Sequence, residues 1–230
     1  PPTPGDLRKL DDAVVHSDIH QGAETLREAV IEECGELSDQ YIELHADLDD
    51  VKTLITATLT RFNILRQPDN FYHTIINIRR INDIRDVNMF FESVNNKLPQ
   101  HGTFICCAET ADMRRKRILR KYPPVLNWMA YTGDYIIKRV FPKFKLTSKI
   151  YFFLTRGQNR VFTRPEILGR LYACGFEVPE ESMVNGLYFF VCRRIKEPAF
   201  DPNPTYGPFI SLRRVGKGGK MIKVYKLRTM

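Results

Sequence analysis

Residues 213–230, RRVGKGGKMIKVYKLRTM, set cations at a spacing that suits a phosphate ligand. FISLRRV and MIKVYKL each alternate, with GKGG between them. This is the pattern of a β-hairpin with a glycine-rich turn. Strand side chains alternate between faces, so Ile222, Val224, Lys226 and Arg228 share one face. Neighbours on that face stand ~7 Å apart, close enough for Lys226 and Arg228 to clamp one diphosphate. Arginine offers a planar fork of donors and lysine a mobile point charge, and both suit phosphate oxygens. On the residues alone, a solvated basic hairpin or an edge strand protected by lysine fits the same pattern.

A second cationic block lies at 113–153. It opens with Arg114, Arg115, Lys116 and Arg117, and it interleaves Trp128 and several Tyr and Phe with further Lys and Arg. Amphipathic segments of this kind can lie on anionic lipid leaflets, so these five residues are candidates for a membrane surface. A solvated basic face over a local core is the competing reading. No recognised nucleic-acid motif accompanies the charge, so nucleic acid is not an expected partner.

The remaining chemistry-bearing residues carry less. His16 and His20 are four apart but lack the glutamate of an HExxH motif. Asp47, Asp49 and Asp50 alternate like a calcium loop without its glycine and terminal glutamate. Asn77, Asn82 and Asp83 follow an apparent strand, where α/β folds place ligands, but Asn and Asp also serve turns and caps. The segment GQN at 157–159 reads as a loop. Five scattered cysteines (34, 106, 107, 174, 192) contain no CxxC, which argues against a disulfide framework or zinc site and for a reducing compartment. Cys106 and Cys107 are expected as core filler on opposite sides of one strand.

The charge is asymmetric. The net formal charge is +8, yet residues 1–60 hold four basic and fourteen acidic side chains. Residues 113–149 hold eleven Lys/Arg and one acid, Asp134, and residues 205–230 hold seven and none. Such blocks favour polyanions. With 43% apolar and 27% charged residues, the composition is that of a folded globular chain. No signal peptide is visible, and the apolar runs fall well short of the ~20 residues that span a bilayer.

The elements that must position these residues are legible mainly after residue 71. Residues 1–70 predict an acidic helical and extended region. There, Leu26, Val30, Ile31 and Leu37 take helical spacing, Gly35 interrupts it, and KTLITATLTRFNIL looks extended. HTIINI (73–78) is a buried-type strand. Asp83 is a plausible N-cap for a helix whose stripe is Ile84, Val87, Phe91, Val94 and Leu98. TFICCA (103–108) is the next strand. Two strands around one helix predict a parallel βαβ unit. Thr163 and Glu166 form a capping box, Pro165 sits in the first turn and Gly175 stops the helix. FEV and GLYFFVCRRI predict a terminal antiparallel pair. Residues 197–208, with four prolines, predict a linker. The fold class expected is α/β: a partial Rossmann-like parallel sheet with terminal antiparallel strands, followed by a C-terminal β-hairpin.

The order of elements in 71–196 resembles the C-terminal half of a class I S-adenosylmethionine methyltransferase. LPQHG is similar to that family's LxPGG turn, and FTRPEILGRLYACGF to its late helix and aGF turn. That family binds its cofactor at a Gly-rich strand-to-helix turn. No such run precedes residue 71, so a methyltransferase-like scaffold is expected without S-adenosylmethionine.

Residues 205–230, TYGPFISLRRVGKGGKMIKVYKLRTM, are similar to the opening of the bacterial sugar transferase family, the polyprenyl-phosphate glycosyl-1-phosphate transferases. Gly207–Pro208, Arg214–Lys217, Gly219–Lys220, Tyr225–Lys226 and Arg228–Met230 match without gaps. The resemblance implies transfer of a sugar phosphate from a nucleotide-sugar to a membrane polyprenyl phosphate in polysaccharide assembly, assisted by Mg²⁺. It makes Arg214, Lys226 and Arg228 phosphate-binding candidates at the start of a transferase domain (209–230). It also implies a peripheral place on the cytoplasmic side of a bacterial inner membrane. The family's catalytic Asp-Glu pair would follow Met230, so the 230 residues read as an inactive piece of a longer enzyme. The alternatives are a methyltransferase with a basic tail and a non-catalytic membrane- or partner-binding module.

Overall fold

A computed structural model describes residues 27–143, 145–198 and 209–227. Helix α1 covers residues 27–34 of this range and α2 covers Glu36–Glu43. The order continues β1 (Thr53–Thr56), α3 (Phe62–Leu65), β2 (Thr74–Arg80), α4 (Val87–Lys97), β3 (Thr103–Ala108), α5 (Ala111–Lys121), α6 (Leu126–Tyr135), α7 (Lys145–Thr155), α8 (Arg164–Ala173), β4 (Phe176–Val184) and β5 (Leu187–Arg194). Strands β6 (Phe209–Val215) and β7 (Met221–Leu227) close the described chain.

The main sheet has five strands in the order β1-β2-β3-β5-β4. β1, β2 and β3 are mutually parallel, and β5 runs antiparallel to both β3 and β4. The fold is therefore the expected α/β arrangement, a partial Rossmann-like parallel sheet with terminal antiparallel strands. Period-two alternation divides β3 between two cores. Phe104, Cys106 and Ala108 pack with Phe90, Phe91 and Val94 of α4 and with Ile167 and Leu171 of α8. Ile105 and Cys107 pack on the other side with Val30, Cys34 and Ile42 of α1 and α2. A sheet covered on both faces needs apolar residues at consecutive positions, which is why TFICCA and TIINI read as unbroken runs. Cys106 and Cys107 are core filler as expected, and all five cysteines are free and buried.

β1 pairs with β2 in register Thr53↔Thr74, and α1 and α2 share a core with Ile76 and Ile78. Two expectations are corrected. The extended reading of 52–65 holds only for β1, since Phe62–Leu65 is helical. The N-cap of α4 is Asp86 rather than Asp83, which lies in a 3₁₀ turn, Ile81–Asp83. The expected stripe of α4 is nevertheless correct: Ile84, Val87, Phe91, Val94 and Leu98 are all buried.

The β4–β5 connection is a two-residue turn, Asn185–Gly186, with φ of 48° and 75°. Both values lie in the left-handed region that a type I′ hairpin turn requires. β4 extends well beyond the expected FEV. It absorbs Pro179 at a register shift between Glu177 and Glu180, a position an edge strand tolerates because no ladder hydrogen bond is lost there.

Candidate phosphate-facing hairpin and basic insert

Strands β6 and β7 pair antiparallel with Ile210↔Lys226, Leu212↔Val224 and Arg214↔Ile222. Directly paired residues share a face, so Arg214, Ile222, Val224 and Lys226 lie together with Leu212. The turn carries Gly218 and Gly219 at φ 73° and 77°, and the Gly216 amide donates to the Lys220 carbonyl at 2.8 Å. Lys226 lies four positions beyond Ile222, the residue opposite Arg214. At ~3.4 Å per residue the two cations stand ~14 Å apart along the ladder. Arg214 therefore serves the turn end of the face and Lys226 the open end. Arg228, the third expected phosphate contact, lies outside the described residues.

Arg214 and Lys226 are exposed, and among the described residues neither forms an ion pair. The strands contain no Asp or Glu. The face can thus donate to an anion but cannot hold a divalent cation alone. Among the described residues no group of three His, Cys, Asp or Glu side chains could hold a metal ion. The residues present therefore fit phosphate oxygens and do not fit Mg²⁺. The candidate calcium loop is a set of Asx turns: Asp47 Oδ1 accepts from the Asp49 amide and Asp50 Oδ1 from the Lys52 amide, each at 2.9 Å. His16 and His20 lie outside the described residues.

The basic insert is built on a buried ionic network. Thr110 caps α5 by accepting from the Met113 amide. One turn in, Arg114 points inward instead of toward solvent. Its Nε and Nη2 fork onto Asp134 at 2.6 and 2.7 Å, and its Nη1 reaches Glu109 at 3.3 Å and Asn159 at 2.6 Å. Burial works against the Arg114 cation, but Asp134 and Glu109 outweigh it and its pKa is raised. Arg114 is thus removed from the candidate membrane surface. Arg117 is exposed, yet its Nε donates to the buried Glu109 at 2.6 Å. Arg115 and Lys116 are exposed. Arg115 sits over Trp128 and Tyr131, with 5.4 and 5.9 Å to the ring centroids.

A second buried network anchors the far end. Arg139 donates to Glu166 at 2.8 Å and to the Val161 carbonyl at 2.9 Å, and Arg170 reaches the other Glu166 oxygen at 3.0 Å. The expected capping box is therefore half formed. Thr163 accepts from the Glu166 amide, while the Glu166 carboxylate turns to the arginines. Burial would raise the Glu166 pKa, but Arg170 and Arg139 hold it below the ordinary carboxylate range.

Asn77 lies within β2 and Asn82 just beyond its carboxyl end, where ligands bind in open α/β sheets, but both are buried and occupied. Asn77 accepts from Thr56 and from the Thr58 amide at 3.1 Å each. Asn82 bridges Glu109 and Arg160, donating to their carbonyls at 2.9 and 2.8 Å and accepting from the Glu109 amide at 2.8 Å. Asp83 accepts from the Asn159 amide at 2.8 Å. Asn82 and Asp83 thus tie the segments on either side of the insert to the residues that follow β2, while Asn77 ties β2 to the turn after β1. Residues 57–61, after β1, are Ala-Thr-Leu-Thr-Arg and offer no glycine-rich turn for S-adenosylmethionine.

What the sequence did not resolve is the apolar surface of α6 and α7. Its signal was present in the three- and four-residue spacing of Leu126, Met129, Gly133 and Ile136, and again in Ile150, Phe153 and Leu154.

No protein-family model matches the chain, and no curated protein matches it. Among the described residues no helix is long and apolar enough to cross a membrane.

Proposed function

We propose that the hairpin is the phosphate-contacting entry to a sugar-1-phosphate transferase in bacterial polysaccharide assembly, with a nucleotide-sugar as donor and a polyprenyl phosphate as acceptor. One observation carries this reading: β6 and β7 present Arg214 and Lys226 on a single exposed face whose strands contain no acidic residue. In the proposed transfer an acceptor phosphate oxygen bonds to the sugar-bearing phosphorus, the bond to the bridging diphosphate oxygen breaks, and a nucleoside monophosphate leaves. Cations near the diphosphate offset the charge that gathers on that leaving group. Mg²⁺ would supply further charge neutralisation on the phosphates when bound, and the described residues do not provide its ligands. The methyltransferase-like sheet acts as scaffold in this reading.

Titration of the full chain with pyrophosphate and with a uridine diphosphate sugar, followed by amide chemical shifts, tests it. Salt-sensitive shifts confined to β6–β7, lost in R214A/K226A, are expected. Shifts located at the ends of β1 and β2, or none in the hairpin, would sink the reading.

A further inference from the structure

We propose that α6 and α7 form an interfacial docking surface for an anionic lipid bilayer. The inference extends the reading above, whose acceptor is a lipid phosphate, but it rests on different residues. Helix α6 continues directly into a π-helical turn, Ile136–Val140. Along this helix Leu126, Met129 and Ile136 are exposed, Met129 by 68%. Gly133 lies in the same stripe, and a methyl group added there would meet nothing within 4 Å. Helix α7 repeats the pattern with Ile150, Phe153 and Leu154, the last two exposed by 84% and 73%. Monomeric folds seldom leave large apolar side chains exposed in rows along two helices without a partner.

The opposite sides of the same helices are pinned. Asp134 on α6 holds the buried Arg114, Arg139 in the π turn holds Glu166, and the buried Tyr151 of α7 donates to the Gln158 carbonyl at 3.4 Å. The α6 stripe therefore cannot turn inward without breaking buried ion pairs, nor the α7 stripe without exposing the buried Tyr151.

The charge around them selects the occupant. Asp134 is the single acid in 113–149, and it is consumed by Arg114. Of the exposed cations of α5, Arg117 pairs with Glu109, while among the described residues Arg115 and Lys116 form no ion pair. Among the described residues Lys138 and Lys149 form no ion pair. A surface that needs an apolar phase for aliphatic side chains and anions for adjacent lysines matches the headgroup–acyl boundary of an anionic leaflet. Nucleic acid would satisfy the lysines and leave Met129, Phe153 and Leu154 in water.

The chain carries its own reporter, because Trp128 is its one tryptophan and lies on α6. The full chain is mixed with phosphatidylglycerol/phosphatidylcholine vesicles and with phosphatidylcholine vesicles, and sedimentation and Trp128 emission are read. Partition into the anionic vesicles with a blue shift is expected, weakened by added salt. F153E/L154E, at sites exposed enough to leave folding intact, is expected to reduce partition by about tenfold or more, and K138E/K149E by several-fold. Three results would overturn the proposal: no partition into anionic vesicles, partition unchanged by F153E/L154E, or a vesicle-free dimer that these substitutions dissociate. A chain that partitions as expected but binds no pyrophosphate upholds this inference and overturns the hairpin reading. The reverse result overturns this inference alone.

Discussion

Arg114 and Asp134 meet as a fork, Nε to Oδ2 at 2.6 Å and Nη2 to Oδ1 at 2.7 Å, across an intervening segment that holds five Lys/Arg and no acid. The pair ties α5 to α6, and Glu109 and Asn159 complete the shell around the guanidinium. Removing one partner of a buried pair leaves the other desolvated and uncompensated, at a cost of ~3–5 kcal/mol. R114M should therefore lower the unfolding free energy by about that much, with R114K intermediate because lysine lacks the fork. Urea denaturation measures both, and an R114M midpoint equal to wild type would contradict a structural role for the pair.

Glu166 gives the fold a dependence on acid. Burial disfavours its carboxylate, but Arg170 and Arg139 reverse the balance and depress the pKa. A depressed folded-state value means the group contributes stability above its unfolded pKa of ~4.3 and loses it as pH falls through the folded value. Wild type should lose stability steeply below pH ~4, while E166Q should be less stable at neutral pH and show a shallower acid limb. Thermal unfolding from neutral pH to pH ~3 distinguishes them, and parallel curves for the two proteins would remove Glu166 from the account.

Much of the sheet was legible because fully covered strands must be apolar at every position, and HTIINI and TFICCA announce this directly. The α1–α2 face was not. Its buried positions are Val30, Cys34, Ser38 and Ile42, whereas Ile31 and Leu37 are exposed. Gly35, at φ 85°, separates the two helices, and a cysteine and a serine carry the middle of the stripe without hydropathic signal. Ser38 is accommodated because its hydroxyl donates to the Cys34 carbonyl at 2.8 Å. Arg114 was misplaced for a related reason. Four consecutive cations look equivalent in sequence, and only the distant Asp134 and Glu109 decide which one turns inward. The hairpin's alternation, by contrast, is legible, so Ile222, Val224 and Lys226 fall on one face as read, and the strand pairing adds Arg214 opposite Ile222.

The cysteines should distinguish local opening from global unfolding. Burial pushes the Cys174 thiol up to about 12, and Cys106 and Cys107 are raised as well, Cys106 chiefly by burial and Cys107 chiefly by its hydrogen bond with Cys34. The Cys107 contact acts in the opposite sense on Cys34, lowering its pKa against the effect of burial. Thiolate is the reactive form, so at pH 8 the native chain should react slowly with a thiol reagent and Cys34 should be modified first. Mass spectrometry of partially labelled protein reads the order. Modification of Cys174 ahead of Cys34 would show that these environments do not govern access.

Gly175 and Gly218 separate two costs of a positive φ. Both lie in the left-handed region, at 89° and 73°. At Gly218 an added Cβ would meet nothing within 4 Å, so G218A should cost only the ~1–2 kcal/mol of left-handed strain. At Gly175 the same methyl would collide with the Lys196 carbonyl oxygen and would stand 2.7 Å from the Asn95 amide nitrogen. Those groups form a seam, since Asn95 donates to the Cys174 and Lys196 carbonyls at 3.0 Å each and the Ile195 amide donates to the Gly175 carbonyl at 3.0 Å. G175A must therefore add overpacking of ~1–3 kcal/mol to the same strain, for a total of ~2–5 kcal/mol. Urea unfolding, followed by amide signals of the hairpin and of the main sheet, should show G218A costing the hairpin only ~1–2 kcal/mol and G175A costing the main sheet ~2–5 kcal/mol. Equal losses would mean that backbone conformation alone, and not the close approach of 195–196 to the end of α8, explains the glycine at 175.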